Sequence, residues 1–197
     1  MATLGFEEVM FGIHDGDTET IKTVYTVNAQ EGGTIEAKLQ GLQAQANTLY
    51  ASNVPFFVSA VGTGTPKLDL DTADLSDEVI AAISGATFEN GIIKLGADSV
   101  APYVSVILKT KGLKDDDIYI GLLKGKFGHP DGADLKTSED KGMEADTTDS
   151  SLSGSFVSRK LDGLVYAKGR TSNTGFDFQQ FKSFVFNGYV EPTIPTA

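Results

Sequence analysis

The chain has two histidines, His14 and His129, and no cysteine among its 197 residues, so metal and acid–base chemistry have few starting points. His129 stands just before Asp131 and Asp134, a set that could hold a cation. One imidazole among monodentate carboxylates on a loop preorganises poorly. Both histidines therefore read as solvated residues of acidic turns. Asp15-Gly16-Asp17-Thr18-Glu19 and Asp115-Asp116-Asp117 are rich in oxygen ligands. They lack the spacing of a calcium-binding hand and read as tight turns. Gly62-Thr63-Gly64-Thr65 lacks the Gly-Lys-Ser/Thr ending of a phosphate loop. The serines of Leu152-Ser153-Gly154-Ser155 form no Gly-x-Ser-x-Gly elbow. The expectation is a protein with no catalytic residue, no metal site and no cofactor, and not an enzyme.

Composition narrows the class further. A length of 197 residues with 40% hydrophobic side chains suits one domain with a sizeable core. Twenty-two glycines, twelve phenylalanines and no tryptophan lean towards β structure with many turns. The formal net charge of −11 argues against gripping a nucleic-acid backbone, which needs clustered Lys and Arg. No apolar run approaches the roughly 18–20 residues of a membrane span, so no membrane partner is expected. The opening MATLGFEEVMFGI does not read as a signal peptide, which implies synthesis in the cytoplasm.

Alternation and turn residues then divide the chain into elements. Strands are expected over Leu4 to Ile13 and Thr20 to Asn28, joined by the Asp15-Gly16 turn. A third follows Gly32-Gly33, with Ile35, Ala37 and Leu39 alternating against Glu36, Lys38 and Gln40. The polar stretch Gln43 to Asn53 separates it from Val54 to Val61, and Leu68 and Leu70 mark a short strand. "DLSDEVIAAISG" is the clear helix, over about residues 75–84. Asp74 or Ser76 can cap it, Asp77 and Glu78 suit its first turn, and Gly85 suits its end. Leu75, Val79 and Ile83 form its apolar stripe. Pro102 to Thr110 is apolar on both faces, as a strand covered on both sides would be. Ile118 to Phe127 follows, then Leu152 to Ser158 and Leu164 to Lys168 around Asp162-Gly163, a hairpin signal. "FDFQQFKSFVF" holds five of the twelve phenylalanines. Phe178, Phe181 and Val185 fit a short helix near 177–184, whereas Phe184 and Phe186 fit a strand, and periodicity leaves both open. The sum is eight to ten strands in a mainly β sandwich or barrel with one flanking helix.

One stretch resists this pattern. Between Pro130 and Ser150 the chain carries seven acids and two lysines, a net of −5. Structureless loops above roughly 12–15 residues are uncommon in compact domains unless functional or disordered. Low hydrophobicity and self-repelling charge predict a flexible loop over 130–150.

Several segments in order carry a resemblance: "VIAAISG", "APYVSVILKTKG", "IYIGLLKGKF", the acidic linker and "LSGSFVSRKLDGLVYAKGRT". The opening "MATLGFEEVMFGIHDGDTETIKTVYTV" and "QANTLYASN" join them. Together they resemble the major tail proteins of long, non-contractile-tailed bacteriophages, which build the tail tube. The likeness spans nearly the whole chain and lies in order and spacing rather than in a single motif. Members typically carry a Phe- or Trp-bearing C-terminal segment, and this chain is richer in Phe.

The resemblance implies a single tail-tube domain over 1–197, a β-sandwich with a flanking helix. It implies hexameric rings whose inner strands close a barrel, stacked into a tube through which DNA leaves the capsid. The partners implied are the chain itself and other tail proteins at the tube ends, with DNA passing the lumen without specific binding. The implied place is the virion, after synthesis in the host cytoplasm. Six copies at −11 each place about −66 formal charges on a ring, a wall that repels DNA rather than holding it. Candidate inter-subunit or inter-ring contacts are Leu42, Gln43, Asn47, Leu49, Tyr50 and Asn53, whose mixed polarity suits a wettable interface. The acids Asp131, Asp134, Glu139, Asp140, Glu144 and Asp146 belong either to an arm that orders on assembly or to an outer loop. Short arms at 1–3 and 191–197, with Glu191, Pro192 and Ile194, complete the set. A β-sandwich adhesion or decoration module and the tube protein of a contractile injection machine are the alternatives.

Overall fold

The computed structural model describes residues 3–44, 47–51, 53–59, 62–130, 132 and 151–191, and the backbone alone for 47–51 and 55–59. The fold is mainly β, with one large antiparallel sheet and two helices. The first strands are β1 (Thr3–His14), β2 (Ile21–Asn28) and β3 (Thr34–Gln40). Then come β4 (Asn47–Ala51), β5 (Val54–Ser59) and β6 (Lys67–Thr72), followed by helix α1 (Asp77–Ser84). A short hairpin, β7 (Thr87–Glu89) and β8 (Ile92–Lys94), precedes the long strands β9 (Val104–Gly112) and β10 (Asp117–Phe127). β11 (Ser151–Phe156), β12 (Tyr166–Arg170) and helix α2 (Phe178–Val185) follow.

The sheet runs β2-β1-β9-β10-β11-β6-β3, and β12 also pairs with β10. β10 is long enough to serve both neighbours on one edge. Ile118 to Leu122 take β12, and Gly125 to Phe127 take β11. The expected hairpin between the strands flanking Asp162-Gly163 is thus not formed. Arg159 to Gly163 make a local bend, and each strand finds β10 instead. The length of β10 decided this, since it offers more ladder than either short strand offers the other.

A packing device steadies that junction. Gly125 faces Phe156 across the β10–β11 ladder, and Gly154 faces Phe127. A Cβ on Gly125 would lie 2.6 Å from Phe156 Cε1, and one on Gly154 2.6 Å from Phe127 Cε1. Each ring therefore lies over the glycine opposite it, and the two rings meet edge to face at 5.7 Å. Beyond the junction the sheet curls. Thr34 of β3 donates its hydroxyl to the Phe6 carbonyl of β1 at 2.7 Å, which makes the fold sandwich-like.

Alternation along the central strands splits the core in two. Val9 and Phe11 of β1, Val104, Val106 and Leu108 of β9, and Leu122 of β10 face one way. On that side α1 presents Val79, Ile80 and Ile83, with Leu75 just before it, so the expected stripe is buried. Ser76 takes the N-cap position without a side-chain bond, and Gly85 ends the helix at φ 74°. Met10, Ile107, Tyr119 and Leu123 face the other way and are covered by Val185, Phe186 and the aromatic cluster of α2. Tyr119 stacks on Phe178 with centroids 4.5 Å apart. The Phe-rich segment is therefore a helix, started by the Asp177 carboxylate accepting from Gln180 N–H at 2.8 Å. β9, between the two cores, is covered on both faces as its sequence implied.

Two details depart from the expected pattern. Part of the polar stretch Gln43 to Asn53 forms strand β4, which pairs with β5 in a separate two-stranded sheet. Ile35 is exposed, because the β3–β6 register slips between Thr34 and Glu36 and turns it off the face of Ala37 and Leu39. Asn90 and Gly91, at φ 55° and 74°, supply the left-handed pair that a tight hairpin needs.

Candidate assembly surface

The two histidines have different surroundings. His14 is buried rather than solvated, which corrects the expectation for it. Its Nδ1 lies 3.0 Å from the Thr18 carbonyl and its Nε2 2.9 Å from Ser105 Oγ. The Ser105 hydroxyl also reaches the Leu123 carbonyl at 2.7 Å. Burial, with the Lys124 charge nearby, holds the imidazole pKa below its ordinary value against the raising effect of its backbone partners and Glu19. A Ser–His pair sunk in the sheet, with both side chains buried, has no access to a substrate. His129 is exposed, with Nδ1 3.0 Å from the Pro130 carbonyl. Asp131 and Asp134 lie outside the described residues.

Four acids of the acidic turns, Asp115, Asp116, Asp117 and Glu19, pair with protein cations. Asp115 pairs with Lys111 at 3.1 Å, Asp116 with Arg170 at 3.7 Å and Asp117 with Lys109 at 3.5 Å. In the β1–β2 turn, Glu19 meets Lys124 of β10 at 2.8 Å, with side chains only 13% and 6% exposed. The same carboxylate accepts from the backbone N–H groups of Lys160 at 2.6 Å and Leu161 at 2.8 Å. Burial opposes its charge, but the Lys124 bond and the two N–H donors outweigh that and lower its pKa to about 2. Glu19 thereby ties the first turn, the middle of the sheet and the loop before β12. Sequence reading missed it, since the partners lie 105 and 141 positions away. Among the described residues no group of three or more His, Cys, Asp or Glu could hold a metal ion.

The surface positions suggested by sequence fall into three groups. Leu42 is half-buried and Gln43 exposed, just before β4. Asn47, Leu49 and Tyr50 lie on β4, opposite Ser59, Phe57 and Pro55 of β5. Asn53 occupies the turn between the strands in a left-handed conformation, φ 64°. These six are brought into one hairpin and its entry, and neither of its strands packs broadly on another element. Asp131, Asp134, Glu139, Asp140, Glu144, Asp146, Pro192 and Ile194 lie outside the described residues. Glu191 is held to its own chain by an ion pair with Lys182, which lowers its carboxyl pKa. At the other end, Thr3 is already part of β1, opposite Gly112, rather than of a free arm.

What remains unaccounted for is the sheet's own rim. Its path ends on β2 and β3, and β12 pairs only with β10, so the outer edges of all three pair with no described strand. Open edges are templates for pairing with another chain. Among the described residues no helix is long and apolar enough to cross a membrane.

The chain is mainly β, and its large sheet keeps outer edges that pair with no described strand. A family model for the phage tail tube protein matches residues 1–194, and the chain belongs to that family. No curated protein matched it. The family is a structural one rather than an enzyme family, so this is a virion protein that assembles with itself and with other tail proteins.

Proposed function

We propose that the chain forms hexameric rings that stack into the tail tube, and that the tube conducts DNA during ejection. The family membership supports this reading, and one geometric observation carries it: the path of the large sheet ends on β2 and β3 with open outer edges, and β12, beside β10, leaves a third. A closed ring of subunits removes such edges by pairing or covering each against the next copy. The β4–β5 hairpin, with Leu49 and Tyr50 on it and Leu42 and Gln43 at its base, makes the contact between rings. The acidic residues of 130–150 serve as an arm that packs on a neighbour, and the tail from Glu191 adds a second. The net charge of −11 per subunit keeps DNA moving through the lumen without specific binding.

Sedimentation of the purified protein over a wide concentration range, with electron microscopy of the same samples, tests this. Sixfold rings and hollow tubes are expected, with residues 130–150 cut readily by protease in the free subunit and protected in tubes. A protein that remains monomeric throughout, or closes as a two-fold dimer, refutes the reading. Equal cleavage in both states reassigns 130–150 to an outer loop.

A further inference from the structure

The curled sheet makes two layers of unequal width. The wide one runs β2-β1-β9-β10-β12, and the narrow one is β11-β6-β3, joined to it where the end of β10 pairs with β11. Leu68 and Leu70 of β6, with Leu152 and Phe156 of β11, turn inward onto the core they share with Val9, Phe11 and Val106. The far face of the wide layer lies beneath α2. On the far face of the narrow layer the polar side chains of Lys38, Gln40, Lys67, Ser153 and Ser155 are exposed.

Register gathers that face into cross-strand rows. Lys38, Asp69 and Ser153 stand side by side across β3, β6 and β11. Gln40, Lys67 and Ser155 form the row on one side of them, and Glu36, Asp71 and Ser151 the row on the other. Asp69 knits the three strands together: its carboxylate accepts from Gln40 Nε2 at 3.4 Å and from Ser153 Oγ at 2.8 Å. The rows hold three carboxylates against two lysines, three serines and one amide, with no arginine and no aromatic ring.

We propose that this polar face of β3, β6 and β11 is the channel wall, and that the DNA duplex passes over it. The inference rests on the ring proposed above and adds which face of the subunit turns inward. The inner circumference of a ring is shorter than the outer one. At roughly 4.8 Å per strand the narrow layer spans about 14 Å and the wide layer about 24 Å, so the subunit is a wedge whose narrow side belongs inside. The outer edge of β3 is open, and closing it against the next copy carries the rows onward around the ring. The β4–β5 hairpin leaves from the Gln40–Lys67 end of this layer. With that hairpin reaching the next ring, β3 and β6 run along the channel and their face lies parallel to its axis. The chemistry agrees. A duplex is gripped by clustered Lys and Arg, and a single strand by aromatic platforms. These rows supply neither, and their surplus of acid keeps phosphate at a distance.

The chain has no native cysteine, so a single introduced thiol reports its own position. Ser153→Cys places one in the middle row, Lys38→Cys a second beside it, and Gln179→Cys a control on the exposed side of α2. Tubes of each full-length variant are treated with biotin-maleimide and then with streptavidin, which is too wide to enter a channel fitted to one duplex. All three should take up biotin. Streptavidin should decorate the walls of Gln179→Cys tubes, and should bind Ser153→Cys and Lys38→Cys chains only after the tubes are dissociated. Streptavidin along the walls of Ser153→Cys tubes puts the face outside. Thiols that react in the free subunit but take no biotin in tubes put it between copies. Either result overturns the inference and leaves the ring reading standing. Tubes from the wild type but from neither wall variant also overturn it, since the wall of an open channel tolerates a small thiol. A wild-type chain that never assembles overturns both.

Discussion

Replacing Glu19 by Gln should remove a large share of the subunit's stability. Glu19 is the counter-ion of a nearly buried Lys124 and the acceptor for two backbone N–H groups of the 160–161 segment. An amide keeps one carbonyl oxygen for those donors but leaves the ammonium without a charge partner. Breaking a buried pair from one side costs on the order of 3–5 kcal/mol. The proton affinity gives a second measure. The carboxyl titrates at about 2 in the folded chain against an ordinary 4.5, a gap worth about 3 kcal/mol. That is a substantial part of the roughly 5–15 kcal/mol that holds a domain folded. As pH falls, the unfolded chain takes up this proton first. The contribution is therefore complete above pH 4.5 and disappears as pH falls through about 2. Urea unfolding of the wild type and Glu19→Gln, at intervals from pH 7 to pH 2, reads both effects. The difference between them should be flat from pH 7 to about 4.5 and then shrink. A difference that stays constant to pH 2, or one below about 0.5 kcal/mol at pH 7, refutes the reasoning. Lys124→Met supplies a control, since it removes the stranded charge. The double variant should be less destabilised than the two singles together.

Three further outcomes follow from the structure. Val79→Asp places a carboxylate in the core beneath α1, where Val79 is buried; thermal unfolding should show a loss on the order of 3–5 kcal/mol. The His14 imidazole, held below its ordinary 6.5 by burial, should titrate below that value in an NMR titration. Because the unfolded chain protonates first, His14 should also lower stability as pH drops below 6.5. Deleting residues 192–197 should leave the unfolding midpoint nearly unchanged while weakening tube formation, and assembly at the wild-type concentration and rate would show that the tail has no role.

Much of the fold was legible because its signals are local. Leu75, Val79 and Ile83 recur at helical spacing and end at Gly85, so α1 could be placed by pattern alone. The two apolar faces of Val104 to Leu108 announced a strand between two layers. The order and spacing of such segments were enough to point to the tail tube family. Where the polar residues of the acidic turns went was not legible in the same way. Tertiary structure decided what depends on distant partners. The Phe-rich end reads equally as helix or strand until Tyr119, Ile107 and Leu123 offer it an apolar face to cover. β11 and β12 look like a hairpin until β10 proves long enough to pair with both. His14 and Glu19 look like solvated turn residues, because nothing nearby in the chain reveals Ser105, Lys124 or the N–H groups of Lys160 and Leu161. Local sequence fixes backbone preference and which face of an element is apolar. Pairing, burial of charge and the surfaces left bare are set only when segments distant in the chain compete for the same partners.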